Sequence, residues 1–436
     1  MRFIKYFVIT LLGLILLAGI SLLVFGWYRS YQASKQLIPQ ETKSLIRVEL
    51  DKIAFDVLQD EWFGLSSKRS RDTADKRVLK PWEMGVTIPA SLNLFAFETY
   101  ATAYYLLLPV NDTLELDSWL KSSLKLELEQ MDGEKDHISY YHGKYVTVLV
   151  NQEKALFRFG KGGVEDVLKM REILNNQANH NLLAKDFQKE LSEESSSNCF
   201  YSDVEGNRLT LEFSKGQIDL KAVLQYDGFK FSNNPVQFQP DTINEIASFQ
   251  LNADIPHLLE MNPNILSKFN IPIDSIKPYL GNYIGLDWKE GEISQWEEII
   301  NYEYDENFEM IEKKEKHEIK APLLSIRIKA SPHLLKLLPN KMFYEFHKSV
   351  YTDFVKLATA SNQDKTIEKL QPSKHSLILN AKPSKLPLLN KDGIVNFNLM
   401  EHMEITGTSI NSNKIELDGK ILFNDRKTNV LYQLVE

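Results

Sequence analysis

The stretch Arg208-Leu209-Thr210-Leu211-Glu212-Phe213-Ser214-Lys215-Gly216-Gln217-Ile218-Asp219-Leu220-Lys221-Ala222 decides how this chain is read. Leu209, Leu211 and Phe213 fall on every second residue, between Arg208, Thr210 and Glu212. Successive side chains of a strand leave on opposite faces, so the alternation makes one apolar face and one polar face. Ser214-Lys215-Gly216-Gln217 supplies a turn. Ile218, Leu220 and Ala222 then return against Asp219 and Lys221. The pair predicts an antiparallel hairpin whose residues 209, 211 and 213 face a core.

The device recurs. Ile415, Leu417, Ile421 and Phe423 alternate with charges, Asn424-Asp425-Arg426-Lys427 turns, and Val430, Tyr432 and Leu434 predict a returning strand. Tyr145–Val150 and Ala155–Phe159 predict a third hairpin. Its first strand is apolar on both faces, which points to a central strand covered by helices. A second pattern is a strand running into a short amphipathic helix. It appears at 46–50 into 51–58, 104–108 into 114–120, 247–251 into 256–261, and 324–328 into 332–338. The last two share Pro-His-Leu-Leu, and Ser331 precedes Pro332 as a helix cap would.

These readings predict an α+β fold, mainly antiparallel sheets with short amphipathic helices. They also predict two diverged repeated halves, 46–246 and 247–436. Longer helices are predicted over Val164–Asn176 and Phe343–Leu357. Predicted loops are Gly64–Lys80, Ser192–Asn198, Ala358–Lys374 and Lys382–Asp392. The mixed charges of Glu303–Lys320 read as a solvated hairpin.

The N-terminus predicts one transmembrane helix. Phe7 to Trp27 carries no charge and is dense in Leu, Ile, Val and Phe, including Phe7, Leu11, Leu16 and Leu22. At about 1.5 Å per residue it spans roughly 30 Å, the thickness of bilayer hydrocarbon. Trp27 and Tyr28 stand where amphipathic rings favour the membrane interface. A cleaved secretory signal is the rival reading, since Arg2 and Lys5 precede the run. The run is longer than the usual signal core, and no small-x-small site follows, so the expectation is an uncleaved anchor. The predicted order is therefore a cytoplasmic tip and span over 1–28, a polar stalk over 29–45, and the two halves. Flanking positive charges are nearly balanced; the short basic N-terminus, kept inside, puts the bulk outside the cytoplasm.

The chain has 436 residues, with 51 Lys plus Arg against 59 Asp plus Glu and a net charge of −8. At 43% apolar and 25% charged it is globular in composition, neither fibrous nor wholly disordered. The acidic balance argues against nucleic acid as partner. The single cysteine, Cys199, allows no internal disulfide and no multi-thiolate metal site.

No motif carries chemistry. Gly160-Lys161-Gly162-Gly163 lies between a strand and a helix but lacks the Ser or Thr that a P-loop places after its Gly-Lys, and reads as a turn. His137 and His142 fall on opposite strand faces. His257 and His333 occupy equivalent first-turn positions rather than forming a ligand pair. Ser122-x-x-Lys125 lacks the companion motifs of the penicillin-recognising enzymes. Cys199 reads as a small core residue. The basic loop with Lys68, Arg69, Arg71, Lys76 and Arg77 is a candidate contact for an anionic surface, set against the simpler reading of a solvated loop. No catalytic, cofactor-binding or metal-binding residue is predicted.

The short N-terminus and single span, the strand–helix start at Ile46–Leu58 and the closing hairpins resemble uncharacterised bacterial single-pass, membrane-anchored extracytoplasmic proteins of unknown function. The likeness extends over the whole chain as a pattern without a diagnostic motif. It implies an exported α+β body and carries no catalytic residues across. The function expected is a membrane-tethered, non-catalytic binding or envelope-assembly protein. Its partners would be the bilayer, through the N-terminal helix, and a protein or lipid, with no nucleic acid. The alternatives are a tethered carrier of an apolar ligand such as lipid and, after it, a hydrolase with dispersed carboxylates. A large apolar cavity would favour the carrier, converging carboxylates the hydrolase, and an exposed apolar patch the binding protein.

Overall fold

The computed structural model describes residues 24–63, 83–99, 101–129, 138–160, 164–175, 181–183, 197–228, 230–238, 245–267, 271–304, 310–361, 369–386 and 396–435. The chain divides into two compact units, Met1–Ser214 and Lys215–Glu436.

Unit 1 begins with a helix, α1, over residues 24–34. Its strands are β1 Leu37–Pro39, β2 Ser44–Glu49, β3 Ser91–Ala96, β4 Tyr104–Pro109, β5 Glu127–Glu129, β6 Ser139–His142, β7 Val146–Val150, β8 Lys154–Phe159, β9 Asn181–Leu183, β10 Cys199–Asp203 and β11 Arg208–Ser214. β1 pairs with β9 alone. The others pair antiparallel in the order β11-β10-β2-β3-β4-β8-β7-β6-β5. The helices α2 Leu50–Phe63, α3 Thr113–Ser122 and α4 Val164–Leu174 follow β2, β4 and β8. Asp112 starts α3: its backbone is extended, and its carboxylate accepts the Leu114 and Glu115 amides at 2.8 and 3.0 Å. The β7–β8 hairpin is buried on both faces. Leu149 and Leu156 pack with Met170, Ile173 and Leu174 of α4. Val148, Val150 and Phe157 pack with Leu116 and Leu120 of α3. A strand with no polar side has to be covered twice, and the two helices do it.

Unit 2 has the strands β12 Gln217–Gln225, β13 Val236–Gln237, β14 Glu245–Leu251, β15 Leu280–Tyr304, β16 Met310–Ala330, β17 His347–Val350, β18 Val355–Ala358, β19 Gln371–Pro372, β20 Leu377–Ala381, β21 Met400–Asn411 and β22 Lys414–Phe423. They pair antiparallel as β12-β22-β21-β20-β14-β15-β16-β18-β17, with β13–β19 a separate pair. The helices are α5 Ile255–Met261, α6 Asn264–Ser267, α7 Ile273–Ile276, α8 Leu334–Leu337 and α9 Val430–Val435. The order of pairing around β14 repeats that around β2. Each of β2 and β14 runs into a helix, pairs on one side with the strand that follows that helix (β3 or β15), and pairs on the other with a later strand (β10 or β20).

The predicted fold class needs correction. An α+β chain behind a transmembrane helix is not what the described residues form: antiparallel strand dominates, and most helices are one to three turns long. No helix among the described residues is long and apolar enough to cross a membrane. Of the predicted span, only the end lies in α1, where Arg29 pairs with Asp51 at 2.8 Å. Phe7, Leu11, Leu16 and Leu22 lie outside the described residues. The predicted division at 246/247 and the junction between the units at 214/215 differ by β12, β13 and the first residues of β14. Within the predicted stalk, Leu37–Pro39 is a strand with Ile38 buried.

Three local expectations also change. Phe343–Leu357 is no helix but contains β17 and most of β18, joined through a Tyr351 amide bond to the Phe354 carbonyl. Val350, Val355 and the aromatics favour pleated backbone, and β16 offers β18 a ladder that a helix cannot use. Val430–Val435 is a helix, not a returning strand. The Asn429 carboxamide accepts the Leu431 amide at 3.0 Å, which starts a helical turn. The strand at 208–214 exists as β11, yet Leu209, Leu211 and Phe213 are only half-buried, as is Thr210. Alternation sets the faces; it does not say how fully either is covered.

One face of the unit 2 sheet is polar and buried. The Asp287 carboxylate forms an ion pair with Arg327 and accepts the Ser248 hydroxyl at 3.0 Å. The Arg327 guanidinium lies 3.5 Å from the centre of the Phe238 ring. Gln250 and Asn252, two residues apart on β14 and just beyond it, hold the segment above. Gln250 accepts the Phe238 amide and donates to its carbonyl; Asn252 does the same for Val236. Each carboxamide thus acts as one residue of a neighbouring strand. Tyr283, Phe354 and Leu370 close the layer.

Glu245 edges this layer. Burial pushes its carboxyl above the usual range, opposed by the Ser248 hydroxyl and by Lys289, Arg327 and Lys382. An acid with a raised folded-state pKa favours folding at low pH. That contribution is lost as pH rises from its ordinary value of about 4.5 through the folded value. Glu245→Gln is therefore expected to raise the melting temperature near pH 8 and to give no gain near pH 4. A difference between variant and parent that does not change with pH would contradict the assignment.

Candidate functional site

Several sequence candidates resolve into local structural roles. Gly160 has φ +135°, and a Cβ there would meet the Thr102 carbonyl oxygen at 2.4 Å, so the glycine serves the turn. Just beyond, Asp166 pairs with the buried Arg158 at 2.9 Å. His257 lies against Glu260, and the His333 ring stacks on Tyr279. Ser122 ends α3, and Lys125 sits in a left-handed turn at φ +53°. Cys199 is partly buried in β10, which pushes its thiol up and away from reactivity. Trp27 is exposed on α1 and stacks on Tyr31. Lys68, Arg69, Arg71, Lys76 and Arg77 lie outside the described residues. Among the described residues, no group of three His, Cys, Asp or Glu could hold a metal ion.

Unit 2 has an open cleft of about 430 Å³ lined by Lys230, Phe231, Ser232, Asp254, Leu280 and Asn282, among others. It brings in one carboxylate, Asp254, which is already capping α5 through the His257 amide at 3.1 Å. Ser232 accepts from Asn282. Mixed walls and a committed acid give neither an apolar shelter nor a pair of carboxylates for acid–base work.

The other prominent feature is the hairpin β15–β16. β14 pairs with β15 only as far as Lys289, and β18 pairs with β16 only across Ser325–Ile328. The two long strands nevertheless keep pairing with each other from Glu292–Pro322 to Tyr304–Met310. Two residues mark where this ribbon leaves the sheet. Gly291, at φ +110°, lies in a bulge between Lys289 and Glu292. Opposite, Pro322 lacks the amide that a further strand would need. The root is clamped by Gln295, which is 8% exposed. Its carboxamide donates to the Glu345 and Thr359 carbonyls and accepts the Glu345 amide at 2.9 Å. Lys341 pairs with Glu297 at 2.6 Å.

Beyond Glu297, no described strand other than its own partner pairs with either edge of the ribbon. Trp296 is 64% exposed and Met310 60%, and Ile299 is exposed too. The register places positions 296, 298, 300, 302, 304 and 310 on one face. On that face Trp296 and Met310 stand exposed near its two described ends. An exposed apolar ribbon of this kind is suited to docking. Sequence reading finds the charged part, Glu303–Lys320, and misses its length. Gly291 in the bulge and Pro322 opposite Glu292 are the signal for the exit point, but only once the register is known.

No protein-family model matches the chain, and no curated protein matches it. Among solved structures it is similar to TP0453. Crystal form IV is 11% identical, covering 44% of this chain and 82% of that one with a TM-score of 0.26. Crystal form III is 9% identical, covering 74% and 93% with a TM-score of 0.24. Crystal form I is 10% identical, covering 74% and 92% with a TM-score of 0.21.

Proposed function

We propose that this is a non-enzymatic binding or assembly protein acting at a cell membrane, outside the cytoplasm, with the ribbon at 292–322 as its contact arm. The observation that supports the reading is the ribbon itself. A bare two-stranded hairpin is marginal in water, and this one presents Trp296 and Met310 to solvent with no described layer over them. The cleft, with one committed carboxylate, gives a catalytic reading no support. Placement at a membrane is a separate part of the proposal, and fractionation of the intact chain tests it by itself.

The test of the arm is photo-crosslinking in cells. A benzophenone side chain at position 296 or 310 is expected to give discrete adducts. The same probe at Leu114, 81% exposed on α3, is expected to give few. Equal yields at all three positions would overturn the arm as a contact surface.

A further inference from the structure

Two buried carboxamides in unit 2 hold peptide backbone. Gln250 and Asn252 stand two residues apart on one face of β14 and its continuation. That is the spacing at which an extended chain turns its backbone groups to one side. Asn252 accepts the Val236 amide at 2.8 Å and donates to the Val236 carbonyl at 2.9 Å. Gln250 does the same for Phe238, at 2.8 and 2.9 Å. The Tyr283 hydroxyl donates to Oε1 of Gln250 at 3.1 Å and so fixes which way that carboxamide points. These bonds read backbone and no side chain. Side chains are selected separately: Val236 and Phe238 pack on Tyr283, Phe354 and Leu370, and the Phe238 ring lies over Arg327.

The segment over this groove is held lightly. β13 is two residues long and pairs with the equally short β19, apart from the larger sheet. Val236, Gln237 and Phe238 are all only half-buried. The layer beneath is not an ordinary core. Lifting an apolar cover sets hydrocarbon against water. Lifting this one also returns water to Asp287, Arg327 and the two carboxamides, which water solvates well. The cover therefore opens at less cost than an apolar one of the same area. We propose that the groove over Gln250, Asn252 and Arg327 binds an extended peptide segment of a partner protein. That segment carries an apolar residue and, two positions later, an aromatic one. Val236–Phe238 is the intramolecular occupant, which the partner's segment displaces. The groove and the arm are separate features of unit 2, so either can stand without the other.

The probe is a labelled peptide of the segment's own sequence, Asn233-Asn234-Pro235-Val236-Gln237-Phe238, added to the intact chain and read by fluorescence anisotropy. An occupant already in place lowers the apparent affinity by the fraction of open groove. Phe238→Ala in the chain weakens the occupant and is expected to tighten peptide binding at least fivefold. A lock asks the same question with Phe238 intact. In a Cys199→Ser background, Gln237→Cys with Gln371→Cys sets two thiols at directly opposed positions of β13 and β19. Such positions have Cα atoms about 4.5–5.5 Å apart, within disulfide reach. Oxidation is expected to hold the segment down and abolish binding, and reduction to restore it. A peptide N-methylated at its phenylalanine cannot donate to Gln250 and is expected to bind at least tenfold more weakly. Equal binding to the oxidised and reduced chains would put the peptide elsewhere and overturn the site. Equal binding of the N-methylated peptide would overturn backbone recognition by the carboxamides. No binding at millimolar peptide, to Phe238→Ala and the reduced chain alike, would make the segment a fixed part of the fold and overturn the proposal.

Discussion

Asp287→Ala is expected to destabilise the protein by about 3–5 kcal/mol, the largest loss of any single substitution considered. The side chains of Asp287 and Arg327 are 2% and 5% exposed. Removing the carboxylate leaves a guanidinium that cannot lose its proton and has little access to water. The Ser248 hydroxyl loses its acceptor in the same step. The contact with Phe238 remains, but a ring face cannot replace a carboxylate. The pair itself is a different matter, because its attraction is set against the desolvation of two ions. Replacing both residues, Asp287→Leu with Arg327→Met, is therefore expected to recover most of the loss. Urea melts of Asp287→Leu, Arg327→Met and the double variant measure this. A double variant as unstable as the sum of the singles would show that the two residues act independently.

Leu156→Ala is the second large effect, expected at about 2–5 kcal/mol. Leu156 has no solvent exposure and lies in β8, between β4 and β7. It packs in the cluster that joins Leu149 and Phe95 to Met170 and Leu174 of α4. The deleted atoms lose their transfer free energy. The cavity is hemmed by two strand ladders and a helix that cannot close on it. Leu114→Ala, on the exposed side of α3, is the control, expected to change stability by less than about 0.5 kcal/mol. Equal losses at the two positions would mean that β8 is not central.

The β8 result shows what is legible without coordinates. A strand apolar on both sides states its own burial, and the hairpin at 146–159 forms as its composition predicts. The four strand–helix steps are readable too, since each change from period two to a helical spacing is a local property. The segments at 343–357 and 430–435 are misread for one reason: their spacing fits two structures. Which one forms is decided by whether a neighbouring ladder or a capping carboxamide is within reach.

The buried polar layer is invisible in sequence for the opposite reason. Ser248, Gln250, Asp287 and Arg327 look like the wet face of ordinary alternating strands. Only the segment Val236–Phe238 laid over them, held by the Gln250 and Asn252 carboxamides, turns that face inward.

The arm divides in the same way. By itself the sequence determines where Lys and Pro discourage further pairing along a strand edge, because they act on the backbone beside them wherever the strand lies. It also determines which face of each strand is apolar, because alternation is a property of the backbone. Only the tertiary structure decides that β15 and β16 outrun their neighbours. The length of a strand is its own, but where its neighbours stop depends on β14 and β18, which lie far away in sequence and are placed by long-range pairing.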